Sequence, residues 1–265
     1  MALIDVLARV GVGVSVMIVF AVALIVDPER LARTRRQWRV RLEHAGPSLA
    51  VLLCALGVNA VARRIGPELS WLIGWNVTGL IYSLEGAVVA DLQSIATPGL
   101  TTLFGLSYVY GYVFLLVFPF VLYFTIEGPN PLRELAAAFT LNYTLGLVCF
   151  VLFIAYGPRN LIPDLVDPLL YSNFPQTRLL TRSVNRNTNV FPSLHTSLSV
   201  TVATQAWRTR ATYPRWPVVA VPITVGVVVA TMYLGIHWAI DVLAGVVLGV
   251  GSVRLAVQWV SPDGA

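Results

Sequence analysis

The sequence predicts an all-α polytopic integral membrane bundle of about six to seven transmembrane helices, and three observations carry that prediction. The 265 residues are 57% hydrophobic and only 12% charged, where a soluble globule carries about 25% charged residues. Mean hydropathy is +0.75. Several apolar runs exceed the roughly 18 residues that read as a membrane span. Because these runs are continuous rather than alternating, they favour helices over a closed barrel.

The first predicted span covers 3–26 and stops at Val26-Asp27-Pro28. A loop over 27–47 follows, with Arg30, Arg33, Arg35, Arg36, Arg39 and Arg41, a charge bias that places it on the cytoplasmic side. A second span, 48–62, ends at Arg63-Arg64. The stretch 71–95 is apolar but interrupted by Gly74, Asn76, Glu85, Gly86 and Asp91, so it crosses, re-enters or lies in the interface. Further spans are predicted at 100–126, 135–156, 191–207, 217–235 and 238–258. A polar loop over 157–189 separates the fourth from the fifth, and Arg208, Arg210 and Arg215 follow the fifth. If both arginine-rich turns are cytoplasmic, parity keeps 71–95 from crossing and puts the loop 157–189 outside. No repeat or interdomain linker breaks the chain, which reads as one membrane domain over 1–265, with accessory helices in 1–95 ahead of a core over 100–258. Gly245, Gly249 and Gly251 form a small-residue stripe suited to close helix packing. Cys54 and Cys149, inside apolar runs, read as inert buried thiols.

All 18 basic residues are arginine, giving a net charge of +5. They sit mainly in loops, so they read as topology and phosphate binding rather than as a nucleic-acid surface. The four arginines of the loop 157–189 oppose the usual charge bias for an outer loop, which suggests an anionic ligand.

Chemistry concentrates in two stretches. Asn189-Val-Phe-Pro-Ser-Leu-His195 leads from the arginine loop into an apolar run. Pro192 is read as the first turn of a helix, where its missing N–H costs nothing. The N–H groups of Ser193 and its neighbours would then face the loop and form an anion cup. The second stretch is Tyr233-Leu-Gly-Ile-His237-Trp-Ala-Ile-Asp241. A carboxylate four residues on can hold one imidazole nitrogen and leave the other free as a nucleophile. Topology brings His195 and His237 to the same membrane face. No metal-type local spacing accompanies them, so no zinc site is predicted.

These paired motifs resemble the type-2 phosphatidic acid phosphatase superfamily over roughly residues 100–258. The Phe-Pro-Ser-Leu-His form is similar to the branch containing inositol phosphorylceramide synthases. The resemblance implies phosphoryl or phosphate-linked headgroup transfer through a phosphohistidine, with no metal or other cofactor. It implies His237 as nucleophile, Asp241 as its orienting partner, His195 as general acid and Ser193 as a phosphate-holding residue. Two departures stand out. The family's Ser-Arg pair ahead of the nucleophile is replaced by Ala230 and Thr231, and the family's first basic motif has no clean match. Arg159, in Gly157-Pro158-Arg159, is the best positional substitute, with Arg182 and Arg186 as the other candidates for a cationic clamp.

The expected function is hydrolysis of a lipid phosphate at the non-cytoplasmic face of the cell membrane. The alternatives are transfer of the headgroup to a lipid alcohol, and non-catalytic binding or transport of a lipid phosphate. The expected partners are the membrane and that lipid, with no nucleic acid.

Overall fold

A computed structural model describes residues 3–128, 130–174 and 190–261. It is 81% helical, and six helices are long and apolar enough to cross a membrane. The all-α polytopic bundle is therefore the observed architecture.

Helix α1 covers Leu3–Ile25, and α2 covers Pro28–Ile73 without a break. The arginine-rich segment predicted as a loop is thus the first part of α2, which continues through Pro47, Arg63-Arg64 and Pro67. At 46 residues, α2 is roughly 69 Å long, more than twice the hydrocarbon thickness of about 30 Å. Its early turns meet the end of the bundle where α1 stops: Arg30 lies over the Tyr213 ring, and Arg33 pairs with Glu127. Arg41 donates to the Phe124 carbonyl at 3.0 Å and also to that of Ile126. Those carbonyls belong to a helix end with no partner of its own.

The stretch 71–95 forms no helix long enough to span a membrane. It breaks into strand β1 (Trp75–Asn76), α3 (Thr78–Glu85) and α4 (Val88–Gln93), helices of 8 and 6 residues. Strand β1 pairs in parallel with β2 (Phe153–Ile154). Helix α5 spans Pro98–Phe124 and carries a π-helical turn at Ser107–Gly111. Helix α6 covers Asn130–Leu152, followed by the short helices α7 (Pro158–Leu161) and α8 (Leu169–Asn173). The last three are α9 (Leu194–Arg208), α10 (Arg215–Tyr233) and α11 (Ala239–Val260).

Helix α9 is the centre of the bundle, packed by α5, α6, α10 and α11. With 15 residues it is the shortest of the long helices. Its Thr196, Ser197, Ser199, Thr201 and Gln205 are all buried. This polarity is tolerated because protein, not lipid, surrounds it. Thr201 accepts from Asn142 at 3.0 Å, and Gln205 donates to Glu134 at 2.8 Å. The outer helices instead expose apolar side chains such as Ile4, Leu53, Val218 and Val247. Cys54 shares that outward exposure, whereas Cys149 is half-buried.

Two members of the glycine stripe bring α9 and α11 together. A Cβ at Gly245 would stand 2.6 Å from the Ser193 carbonyl oxygen, and one at Gly249 would stand 2.5 Å from that of Ser197. Gly251 meets nothing and lies outside the seam.

Candidate active site

The site forms at the end of the bundle opposite Arg30, Arg33 and Arg41, where α9 and α11 begin. Pro192 does not start α9. Ser193 is the N-cap, its Oγ accepting from the Thr196 N–H at 3.3 Å, and Leu194 is the first helical residue. A serine cap that satisfies an orphan donor outweighs a proline at the first position. The backbone N–H of Ser193 is also engaged, donating to the Asp241 carbonyl at 3.0 Å. Ser193 thus joins the two helix starts, rather than presenting its own N–H to the loop.

His237 precedes α11. Its backbone N–H and that of Ile236 both donate to the Thr231 carbonyl at 3.0 Å. Gly235 permits this tight return with φ of +70°, in the region that favours glycine. Trp238 caps α11, and its N–H donates to Asp241 Oδ2 at 2.9 Å. The same oxygen lies 3.4 Å from His237 Nδ1. That distance allows an ion pair but exceeds a tight hydrogen bond. Asp241 is fully buried, and His237 is nearly so.

His195, in the first turn of α9, faces His237 with 6.1 Å between ring centroids. Two tyrosines one turn apart on α5 hold its ring: Tyr108 stacks at 4.7 Å, and Tyr112 meets it at a tilt with centroids 4.4 Å apart. Arg159 lies at the start of α7. Its N–H donates to the Gly235 carbonyl at 3.2 Å, and Nη2 donates to the Tyr171 hydroxyl at 3.2 Å. Its Nη1 is buried without a hydrogen-bond partner among the described residues. A buried guanidinium donor left open suits an anion.

Of the residues singled out from sequence, the structure brings together His195, His237, Asp241, Ser193 and Arg159. Arg182 and Arg186 lie outside the described residues. Among the described residues, no group of three His, Cys, Asp or Glu side chains is placed to hold a metal ion.

Sequence reasoning missed Glu85. Its carboxylate, at the end of α3, accepts the N–H of Ala239 at 2.8 Å and also that of Ile240. It therefore occupies the positive end of α11 directly beside the Asp241 turn. The only signal in the sequence was a carboxylate inside an apolar stretch, a costly placement that calls for a partner. Tyr108 and Tyr112 were hidden in an aromatic-rich span. Arg63, read as a span end, lies half-buried within α2.

The arrangement sets two imidazoles face to face at the starts of α9 and α11, one of them with a buried carboxylate oxygen 3.4 Å from its Nδ1. No curated protein and no solved structure matches the chain significantly. The sequence signature of the PAP2 superfamily, however, covers residues 81–255, more than half of the 265 residues and the whole of the histidine site. The chain belongs to the PAP2 superfamily.

Proposed function

We propose that this protein is an integral membrane lipid phosphate phosphatase that works through a phosphohistidine. The observation that carries the reading is the pair of imidazoles 6.1 Å apart, His195 half-buried and His237 buried, the latter with Asp241 at 3.4 Å. In the first step His237 Nε2 attacks phosphorus and the ester P–O bond breaks. Protonated His195 gives its proton to the departing lipid oxygen, which leaves as an alcohol. Asp241 keeps the Nδ1 proton of His237 in place and stabilises the positive charge that grows on that ring. In the second step neutral His195 takes a proton from water, the water oxygen attacks phosphorus, and the P–N bond breaks to release phosphate. Arg159 neutralises charge on the phosphoryl oxygens in both steps.

The reading needs no metal, places the site at the non-cytoplasmic face of the cell membrane and takes a lipid phosphate as substrate. The arginine-bearing start of α2, at the opposite end of the bundle, supports that orientation through the positive-inside bias.

A second reading follows from the Phe191-Pro-Ser-Leu-His195 form, which resembles the inositol phosphorylceramide synthase branch. There a lipid hydroxyl replaces water in the second step, and the protein is a headgroup transferase. Phosphate release from a short-chain lipid phosphate by purified protein, with and without added lipid alcohol, separates the two. The phosphatase reading expects steady release that EDTA leaves unchanged and that His237→Ala abolishes. Equal rates for wild type and His237→Ala would leave only the non-catalytic binder or transporter.

A further inference from the structure

The end of the bundle opposite the histidines holds a cavity of about 220 Å³ between α2 and the junction of α5 with α6. Phe124, Ile126 and Leu132 give it an apolar wall, and Gln37, Arg41 and His44 line the α2 side. We propose that this cavity binds one anionic phospholipid of the adjoining leaflet, its phosphate on Arg41 and its glycerol and first acyl carbons against the apolar wall. The site is separate from the histidines and does not depend on the chemistry assigned to them. Tyr112, which meets His195, and Phe124, which lines the cavity, stand at the two ends of a regular α-helical stretch of 13 residues, roughly 18 Å apart.

Arg41 is the reason for an anion. Its Nη1 donates to the carbonyls of Phe124, at 3.0 Å, and Ile126, and its Nη2 donates to Gln37 Oε1 at 3.2 Å. All three acceptors are neutral, so the guanidinium is fixed in place while its charge goes unanswered. Its Nε is buried and has no hydrogen-bond partner among the described residues. The carboxylate at the cavity, Glu127, is paired with Arg33 instead. A guanidinium in this condition calls for an acceptor that carries charge, and a phosphate oxygen is one. Because the group is already held, little freedom is lost when the anion arrives.

The rest of the lining decides which anion. An inorganic ion gains nothing from Phe124, Ile126 and Leu132, and a neutral lipid leaves Arg41 unanswered. An anionic phospholipid satisfies both sides of the cavity. Its surroundings favour the same occupant. Arg35, Arg36 and Arg39 are exposed on this part of α2, and basic clusters beside a membrane helix gather anionic lipid. Trp38, Val40 and Leu42, each about half exposed, suit the depth of the headgroups, where amphipathic segments rest. His44 Nδ1 donates to the Val40 carbonyl at 2.7 Å, which fixes the imidazole along the cavity.

The test titrates full-length, delipidated protein in detergent with short-chain phosphatidylglycerol or phosphatidylcholine. Native mass spectrometry counts bound lipid, and melting curves follow stability. One saturable phosphatidylglycerol is expected, bound roughly tenfold or more tighter than phosphatidylcholine and raising the melting temperature. Arg41→Gln is expected to weaken that binding about tenfold, the effect of losing a charge-assisted hydrogen bond. His44→Glu, which puts a carboxylate in the wall, is expected to weaken it at least as much. Arg41 also holds the end of α5, so melting without lipid identifies an Arg41→Gln protein that has lost its fold. His44→Glu, a change at an exposed side chain, then decides alone. Replacing Arg35, Arg36 and Arg39 together by Gln separates the cavity from general surface attraction, and is expected to cost less than either single change. Equal affinity for the two lipids, wild-type binding by the folded cavity variants, or a larger loss in the triple variant each overturns the proposal. Inorganic phosphate that alone reproduces the rise in melting temperature would make the occupant a free anion and overturn the lipid assignment.

Discussion

Glu85 Oε2 accepts the backbone N–H of Ala239 at 2.8 Å, across 154 residues of chain. A short helix outside the long bundle helices thus fixes the start of the helix that carries Asp241. The carboxylate faces the positive end of α11 and satisfies donors that would otherwise be orphaned. Glu85→Ala should cost about 0.5–2 kcal/mol of stability, the usual cost of losing a helix N-terminal cap, and should lower kcat because the Asp241 turn loosens. Glu85→Gln should fall between the two, keeping an acceptor but losing the charge. Detergent melting curves measured beside kcat decide this; an Ala variant matching wild type in both would remove Glu85 from the site.

His195 facing His237 makes a prediction that depends on the substrate. If His195 protonates the departing oxygen, His195→Ala should slow hydrolysis of an alkyl phosphate by roughly a hundred- to ten-thousandfold. A substrate whose leaving group departs unprotonated, such as a nitrophenyl ester, should form the phosphoenzyme far less impaired. Burst-phase kinetics on the two substrates gives the comparison. An equal loss in the burst rate on both would mean that His195 positions rather than protonates.

The open Nη1 of Arg159 predicts a binding role. Arg159→Ala should weaken inhibition by inorganic phosphate about tenfold or more, as expected for a lost charge-assisted hydrogen bond. Arg159→Lys should recover only part, since a single ammonium cannot hold the Tyr171 hydroxyl and an anion with one planar fork. Inhibition constants unchanged in Arg159→Ala would place the phosphate elsewhere.

Much of this structure could be read from local sequence. The long apolar helices are encoded residue by residue, and the two histidine motifs each lie within a few residues of a helix start. Parity alone argued against a full crossing by 71–95. What could not be read was set by tertiary packing. Arg63-Arg64 looked like a terminus because charged pairs usually end spans, yet α2 continues because its inward face packs on α6 beyond them. Pro192 looked like a first helical residue, but the Ser193 cap moved the start by two positions. Glu85 could not be paired with Ala239 and Ile240 from sequence, because the partners are backbone groups far along the chain. The arginines 182 and 186 lie beyond the described residues.

The glycine seam separates positions that look equivalent in sequence. Gly245→Val should destabilise the protein by about 1–3 kcal/mol, a typical cost of overpacking, because the new side chain meets the Ser193 carbonyl. It should also lower activity by displacing the start of α9 from that of α11. Gly251→Ala, with nothing near it, should be neutral or slightly stabilising, as alanine favours helix. Melting temperatures of the two variants, measured side by side, check the assignment; a reversed order would contradict it.

The most direct test of the central claim is mass spectrometry of protein quenched during turnover of a lipid phosphate, under conditions that preserve phosphoramidates. The account predicts a phosphoryl group on the peptide containing His237, absent in His237→Ala and accumulating when hydrolysis is slowed by His195→Ala with an activated ester. A covalent phosphate on another residue, or none at any time in an enzyme that turns over, would contradict it.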